Sequence, residues 1–304
     1  MQVLDAHAVH AALPWPALAE QLHAAFCAGA EVPLRHAHAL SAQDTLLLMP
    51  AWSPRLLVVK LVTVMPAAEA TVQASVLAMR RDTGEPLALL DGEALTLRRT
   101  AATSALAARH LARPDASRLL VVGSGRLAGW MARAHAALRP GLAIQVWARR
   151  PASAQTLAAE LCSEGLDARA APDLAAAVRA AHIVCCATTA TEPVVLGEWL
   201  QPGTHLDLVG GFKPHMREVD DAAVALSRVV VDTYTGALAE AGDLAQPLAR
   251  SVITREHIVA DLAELLRGER VGRRSAQDIT LFKSVGTALE DMAAAELVLQ
   301  QAAK

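Results

Sequence analysis

Two kinds of apolar pattern alternate along the chain. Short apolar runs bounded by Pro, Gly, Ser or Asp read as strands, and stretches with apolar positions every three or four residues read as helices. Residues 6–28 carry helical spacing broken at Pro14 and Pro16, so two short helices are predicted with a restart near Trp15. Four strand-like runs follow at 32–40, 45–50, 56–64 and 72–79, and a turn at 82–86 leads into a fifth, 87–91, that closes as a hairpin on the fourth. These predict an antiparallel sheet. A helix over 93–111 then runs to Arg113-Pro114-Asp115, where a proline and a charge precede a new strand and mark a domain boundary.

Beyond that boundary the order becomes strand, helix, strand. Residues 119–122 form an apolar strand, a helix runs to about 138, and a second strand covers 143–147. Helices are predicted at 153–164, opened by Ser153, and at 174–181, opened by Asp173. Strands at 183–187, 204–210 and 229–232 are largely apolar runs of parallel-strand length. Further helices are expected at 218–225, 237–244 and 259–266. A Gly- and Arg-rich loop, 268–274, leads to 278–286, and an amphipathic helix over 287–303 packs back on the first domain. The predicted fold is α/β: a Rossmann-type doubly wound sheet over 115–274, inserted after an α+β platform formed by 1–114 and 275–304.

Composition narrows the partners. The chain has 304 residues, enough to bury a full core without metal or disulfide staples, and 53% of them are hydrophobic. A formal net charge of -3 leaves no electrostatic footprint for nucleic acid or an anionic membrane, so small molecules are the expected partners. Cys27, Cys162, Cys185 and Cys186 show no Cys-x-x-Cys spacing and are read as reduced thiols. No apolar run approaches the roughly 20 residues of a membrane span, and the first residues lack the basic and apolar pattern of a signal peptide. A cytoplasmic location is therefore expected.

The candidate chemistry begins at the glycine turn Gly123-Ser124-Gly125-Arg126-Leu127-Ala128. A strand, a Gly-x-Gly-x-x-Ala turn and a helix together aim backbone N–H groups at a pyrophosphate. The second strand ends about twenty residues further on, where a dinucleotide fold meets the adenosine ribose. At that tip stands Trp147-Ala148-Arg149-Arg150 in place of an acidic residue, and the next carboxylate, Glu160, lies well inside a helix. Arg149 with Arg150 suits a 2′-phosphate and favours NADPH over NADH; the alternative is a solvated basic loop.

Arg35, Lys60 and Arg99 lie in or beside apolar stretches, and a buried cation is costly without an anion. Lys60 interrupts a nine-residue apolar run, so it is either a strand-edge lysine reaching water or a group aimed at a substrate anion. Arg98 and Arg99 offer the same choice, between an exposed helix face and a carboxylate clamp. His36 and His38 share one strand face but lack the partners of a zinc site, and no metal is expected. No nucleophile elbow or Cys/His arrangement supports covalent hydrolysis.

Over nearly its whole length the chain resembles the ornithine cyclodeaminase/mu-crystallin family. The resemblance is carried by Val32-Pro33-Leu34-Arg35, Val59-Lys60-Leu61-Val62, Thr83-Gly84-Glu85-Pro86-Leu87-Ala88, Arg98-Arg99-Thr100-Ala101-Ala102-Thr103, the Gly123 loop and Ile279-Thr280-Leu281-Phe282-Lys283-Ser284-Val285-Gly286. It implies that the platform binds substrate and forms a homodimer, and that the middle domain binds the nicotinamide cofactor. It further implies that Arg35, Lys60 and Arg99 meet the substrate carboxylate and that Thr71 lies near the nicotinamide. By the same resemblance Arg126 and Leu127 touch the pyrophosphate, Thr188, Val209 and Gly210 line the cofactor cleft, and Ser284 and Val285 close it. Cyclodeaminases of the family carry an aspartate after the paired glycines, and here that position is Phe212. A phenyl ring exchanges no protons, which points to reduction of a preformed cyclic imine. The stretch 212–218 is similar to family members that reduce Δ1-pyrroline-2-carboxylate to proline and Δ1-piperideine-2-carboxylate to pipecolate, with Phe212 covering the ring face. Two alternatives stay open: a cyclodeaminase or amino-acid dehydrogenase that uses Glu218 or Asp207 as the missing carboxylate, and a non-catalytic mu-crystallin-like binding protein. Replacing Lys60 by Met or Arg99 by Ala is expected to cost catalysis without unfolding the chain.

Overall fold

The computed structural model describes residues 1–68 and 71–302 and divides the chain into two compact units, 1–103 with 286–304, and 104–285. In the first unit, strand β1 (Gln2–Leu4) precedes helices α1 (Ala6–Ala11) and α2 (Trp15–Ala28). Strands β2 (His36–Ala39), β3 (Thr45–Trp52), β4 (Leu56–Val64), β5 (Val72–Arg80) and β6 (Pro86–Asp91) follow, then helix α3 (Gly92–Leu111). They form one sheet in the order β1-β6-β5-β4-β3-β2, antiparallel except for the β1–β6 pair. β1 escapes the sequence reading because three residues carry no periodicity of their own. The first predicted strand shrinks from 32–40 to 36–39, an exposed edge beyond Pro33.

The second unit continues with β7 (Arg118–Val122), α4 (Arg126–Leu138), β8 (Ala143–Trp147), α5 (Pro151–Ser163), β9 (Ala168–Ala170), α6 (Leu174–Ala180), β10 (Ile183–Cys186) and β11 (His205–Leu208). It is completed by α7 (Asp221–Leu226), β12 (Ser227–Val231), α8 (Tyr234–Glu240), α9 (Gly242–Ala249), β13 (Ile258–Asp261), α10 (Leu262–Leu266) and β14 (Ile279–Lys283). Eight strands pair in parallel in the order β13-β12-β14-β11-β10-β7-β8-β9. Strand order reverses between β7 and β10, which makes the C-terminal ends of those two strands the topological switch point of a Rossmann-type sheet. Chain direction and burial explain the sheet: β7, β10 and β11 have consecutive residues with almost no exposure, as helix-covered parallel strands require.

Several predicted bounds are corrected. The units part at 103/104 and 285/286, not at 114/115 and 274/275, because β14 pairs with β11 and β12 inside the parallel sheet. The expected helix 259–266 is a sheet-edge strand followed by a short helix, whose start is fixed by a reciprocal Asp261–Glu264 capping box. The helix expected at 237–244 is two helices that break at Ala241. The helix expected at 218–225 begins only at Asp221, behind its cap Asp220, and this frees Glu218 for another task. The last helix, α11 (Ala288–Ala302), packs on α2, β3, β4 and β5. It is not amphipathic: every residue from Ala288 to Ala295 is buried, including Glu290 and Asp291, and Ala303 lies outside the described residues.

His135, Cys185 and Asp207 present ligand-type atoms within 4.8 Å of one another in the core of the second unit. Nε2 of His135 and Oδ2 of Asp207 are 2.9 Å apart. Burial acts to raise the Asp207 carboxyl, but the hydrogen bond and charge of His135 outweigh it and hold it below 3.8. Burial and the neighbouring carboxylate push the Cys185 thiol well up, so the sulfur is protonated and the trio works as a hydrogen-bonded brace between α4 and the sheet. A carboxylate held low stabilises the fold fully above its ordinary pKa, and the benefit is lost as pH falls through the lowered value. Asp207→Asn should therefore lower unfolding free energy by about 1–3 kcal/mol at pH 7, with the difference from wild type shrinking toward pH 3, as measured by urea denaturation.

Candidate active site

The glycine turn lies at the switch point. Gly123 has φ +124°, and a Cβ there would stand 2.5 Å from the Ala187 carbonyl oxygen that follows β10, so only glycine lets the two strand ends approach. Gly125 is the N-cap of α4 and faces open space, leaving an exposed cradle beneath the helix N-terminus. That cradle fits a pyrophosphate on steric and electrostatic grounds. Arg126 and Leu127 open α4, the first exposed and the second half-buried. Arg149 and Arg150 are exposed just past the end of β8, Arg150 as the cap position of α5.

Thr188, Val209 and Gly210 follow β10 and β11, and the structure joins Thr188 to Gly210 through a residue that periodicity assigns to a helix. Glu218 Oε1 accepts hydrogen bonds from the Thr188 amide at 2.7 Å and the Thr188 hydroxyl at 2.9 Å, while Oε2 accepts from the Gly210 amide at 2.7 Å. Asp243 in turn accepts from the Glu218 amide at 2.7 Å through Oδ1 and pairs with Lys283 Nζ at 3.0 Å through Oδ2. Burial pushes the Glu218 carboxyl up, and the Lys283 charge opposes the shift. Nearby, Asp232 Oδ2 accepts from the Ser284 hydroxyl at 3.0 Å and from the Val285 amide at 2.8 Å, fixing the pair predicted to close the cleft. Phe212 is exposed, with Lys213 Nζ 5.9 Å from its ring centroid.

The first unit assembles the cations. Lys60 projects from β4, flanked by β3 and β5, and is only 3% exposed, so it is neither on a sheet edge nor reaching water. Its Nζ lies 2.7 Å from Asp291 Oδ2. Arg99, on α3, binds the other oxygen of Asp291 through Nε at 3.0 Å and Glu290 Oε2 through Nη1 at 2.5 Å. Arg35 is half-buried and donates from Nη2 to the Gly286 carbonyl at 3.1 Å. Burial lowers Lys60 to about 8 against the pull of Asp291. Arg99 goes the other way: burial acts to lower it, but the two carboxylates raise it. Thr71 is exposed just before β5, its carbonyl accepting from the Met65 amide at 2.7 Å. Sequence reasoning found the cations and missed Glu290 and Asp291, because both stand in what reads as the polar face of a surface helix.

The pattern of cations, glycine turn and two-unit fold has relatives. The ornithine cyclodeaminase/mu-crystallin family matches residues 2–304. The chain belongs to that family. It is 43% identical over 229 residues to the Delta(1)-pyrroline-2-carboxylate reductase of Paracoccus denitrificans, covering 75% of this chain and 72% of the relative. With the Delta(1)-pyrroline-2-carboxylate reductase of Colwellia psychrerythraea it shares 33% identity over all of both chains. The structure of Thermococcus litoralis Delta(1)-pyrroline-2-carboxylate reductase in complex with NADH and L-proline superposes with a TM-score of 0.94 at 34% identity, covering 100% of this chain and 98% of that one.

Within the family, the two carboxylates considered as substitutes for the cyclodeaminase acid are otherwise engaged. Asp207 is buried against His135, and both oxygens of Glu218 accept backbone hydrogen bonds. The expectation that Lys60 and Arg99 can be removed without structural cost is also corrected, since either loss takes a cation away from the buried carboxylates of α11. Arg99→Ala should destabilise the protein by about 3–5 kcal/mol in denaturant titrations. Glu218→Gln, which has one acceptor oxygen where the carboxylate has two, should cost about 1–3 kcal/mol in the same experiment.

Proposed function

We propose that this protein is a nicotinamide-dependent oxidoreductase that reduces the C=N bond of Δ1-pyrroline-2-carboxylate, giving L-proline, and of Δ1-piperideine-2-carboxylate, giving L-pipecolate. The observation that carries the reading is the neutralised cation set of the first unit. Lys60 and Arg99 are balanced by Glu290 and Asp291, and Arg35 adds a further positive charge suited to one carboxylate. The resemblance to reductases named for the pyrroline substrate, one of them solved with NADH and L-proline, supports the same substrate class.

Arg35 and Arg99 hold the substrate carboxylate, and Phe212 is assigned to the apolar face of the ring. The dinucleotide, when bound, supplies a hydride to the imine carbon. Lys60 supplies the proton to the nitrogen, so the C=N π bond is replaced by one C–H and one N–H bond. Gly123, Gly125, Arg126 and Leu127 hold the pyrophosphate, Thr188, Val209 and Gly210 line the cofactor cleft, and Ser284 and Val285 close it, with Thr71 near the nicotinamide. We read Arg149 and Arg150 as contacts for a 2′-phosphate, which favours NADPH over NADH. Proton exchange, which ring closure with ammonia loss needs, has no side chain at Phe212 to serve it.

The second face of the six-stranded sheet supports a homodimer. Trp52, Leu57, Val59, Leu61, Leu77 and Met79 alternate with the core-facing positions of β3, β4 and β5 and form an apolar surface. Among the described residues no helix is long and apolar enough to cross a membrane, and the cysteines are free thiols, which fits a reducing cytoplasm.

Purified protein should oxidise NADPH in the presence of the pyrroline substrate at mildly acidic pH, and absence of turnover at high enzyme concentration refutes the proposal. Arg149→Ala should raise KM for NADPH about tenfold while leaving that for NADH unchanged; a wild-type preference for NADH removes the 2′-phosphate assignment. Light scattering should give a dimer mass, and Leu61→Lys should give the mass of a monomer.

A further inference from the structure

The C-terminal helix contributes two buried carboxylates to a set of cations that it meets only through folding. Asp291 is the hub: one oxygen is 2.7 Å from Lys60 Nζ and the other 3.0 Å from Arg99 Nε, so a single carboxylate fixes the separation and orientation of both cations. Glu290 takes Nη1 of the same guanidinium at 2.5 Å. The arrangement leaves Lys60 little rotational freedom, since its strand neighbours across the sheet are the apolar Met49 and Val76.

We propose that Asp291, backed by Glu290, is a positioning residue for proton delivery: it docks Lys60 as the donor to the imine nitrogen and locks Arg99 in register beside it. The inference deepens the reductase reading and rests on it for the identity of the acceptor. Lys60 gives one proton to the nitrogen as hydride reaches the adjacent carbon, and the neutral amine is reprotonated from solvent before the next turnover. The charged groups that face Lys60 are Asp291 and Glu290 from α11, which favour its ammonium form, and Arg99 from α3, which opposes it. A donor must hold its proton in the resting protein and release it when needed. A lysine lowered to about 8 by burial and kept from falling further by Asp291 meets both needs, whereas an ordinary lysine at 10.5 is a poor donor near neutral pH. Activity should accordingly fall as pH rises through about 8.

The test exploits the scarcity of lysine. The chain's lysines are Lys60, Lys213, Lys283 and Lys304, so side-chain ¹³C-lysine NMR yields a spectrum simple enough to assign Lys60 by its loss in Lys60→Arg. In Asp291→Asn the Lys60 titration midpoint should move down by about one to three pH units, and the alkaline limb of kcat/KM should move with it. Glu290→Gln should produce a smaller shift in the same direction. An unchanged midpoint in folded Asp291→Asn overturns the proposal; if that variant does not fold, an unchanged midpoint in Glu290→Gln overturns it. A purely structural Asp291 lowers the melting temperature and moves the Lys60 midpoint while the alkaline limb of kcat/KM stays where it was, and that outcome also overturns the proposal. Because the NMR titration needs no substrate, a shifted midpoint without imine reduction sinks the reductase reading alone, and imine reduction with an unmoved midpoint sinks this inference alone.

Discussion

An ionised side chain out of water has to be matched by an opposite charge or by several hydrogen bonds, and both units of this protein are organised by that requirement. In the first unit the match is between β4 and α3 on one side and α11 on the other, through Lys60, Arg99, Glu290 and Asp291. In the second it is the chain Lys283–Asp243–Glu218, which ends on the amides that follow β10 and β11. Stability alone does not explain buried charge sets of this kind, because well-packed apolar residues of similar volume often serve at least as well. What each set provides is a fixed geometry for the side chains and amides that it joins.

The two networks do different jobs. In the second unit the charge is spent inward: Glu218 ties Thr188 to Gly210, the residues that follow β10 and β11, mainly through backbone amides. In the first unit the carboxylates restrain the side chains of Lys60 and Arg99, fixing where two cations stand relative to each other.

Most of the architecture was legible in the pattern of apolar residues, because parallel strands such as β7 and β10 carry four consecutive apolar residues and the Gly123 turn has a fixed steric reason. The cations were legible for the converse reason, since Lys60 stands out in a run of nine otherwise apolar or hydroxyl-bearing residues, although the run alone does not separate an edge lysine from one aimed at an anion. Their partners were not. Glu290, Asp291 and Glu218 occur in segments where helical spacing makes an acid look solvent-facing, and only tertiary contact reverses that. A signal was present nonetheless: cations such as Lys60 and Arg99 set among apolar residues demand anions from somewhere, and α11 was already expected to return to that unit. β1, β9 and β13 were illegible because three or four residues are too short to display a period. The boundary error at 274/275 has a related origin, since a strand followed at once by a helix in the other unit leaves no linker to read.

That last connection has a consequence for how the chain comes to be folded. Arg99 and Asp291 are 192 residues apart, with the whole parallel sheet between them. During synthesis, at about 5–20 residues per second, the strands of the first unit leave the ribosome roughly ten to forty seconds before the carboxylates that neutralise their cations. The second unit is by then complete through β14, only a few residues short of α11. The order of maturation therefore inverts the order of translation: the part made first is finished last, when the final helix arrives to quench the charges buried in it.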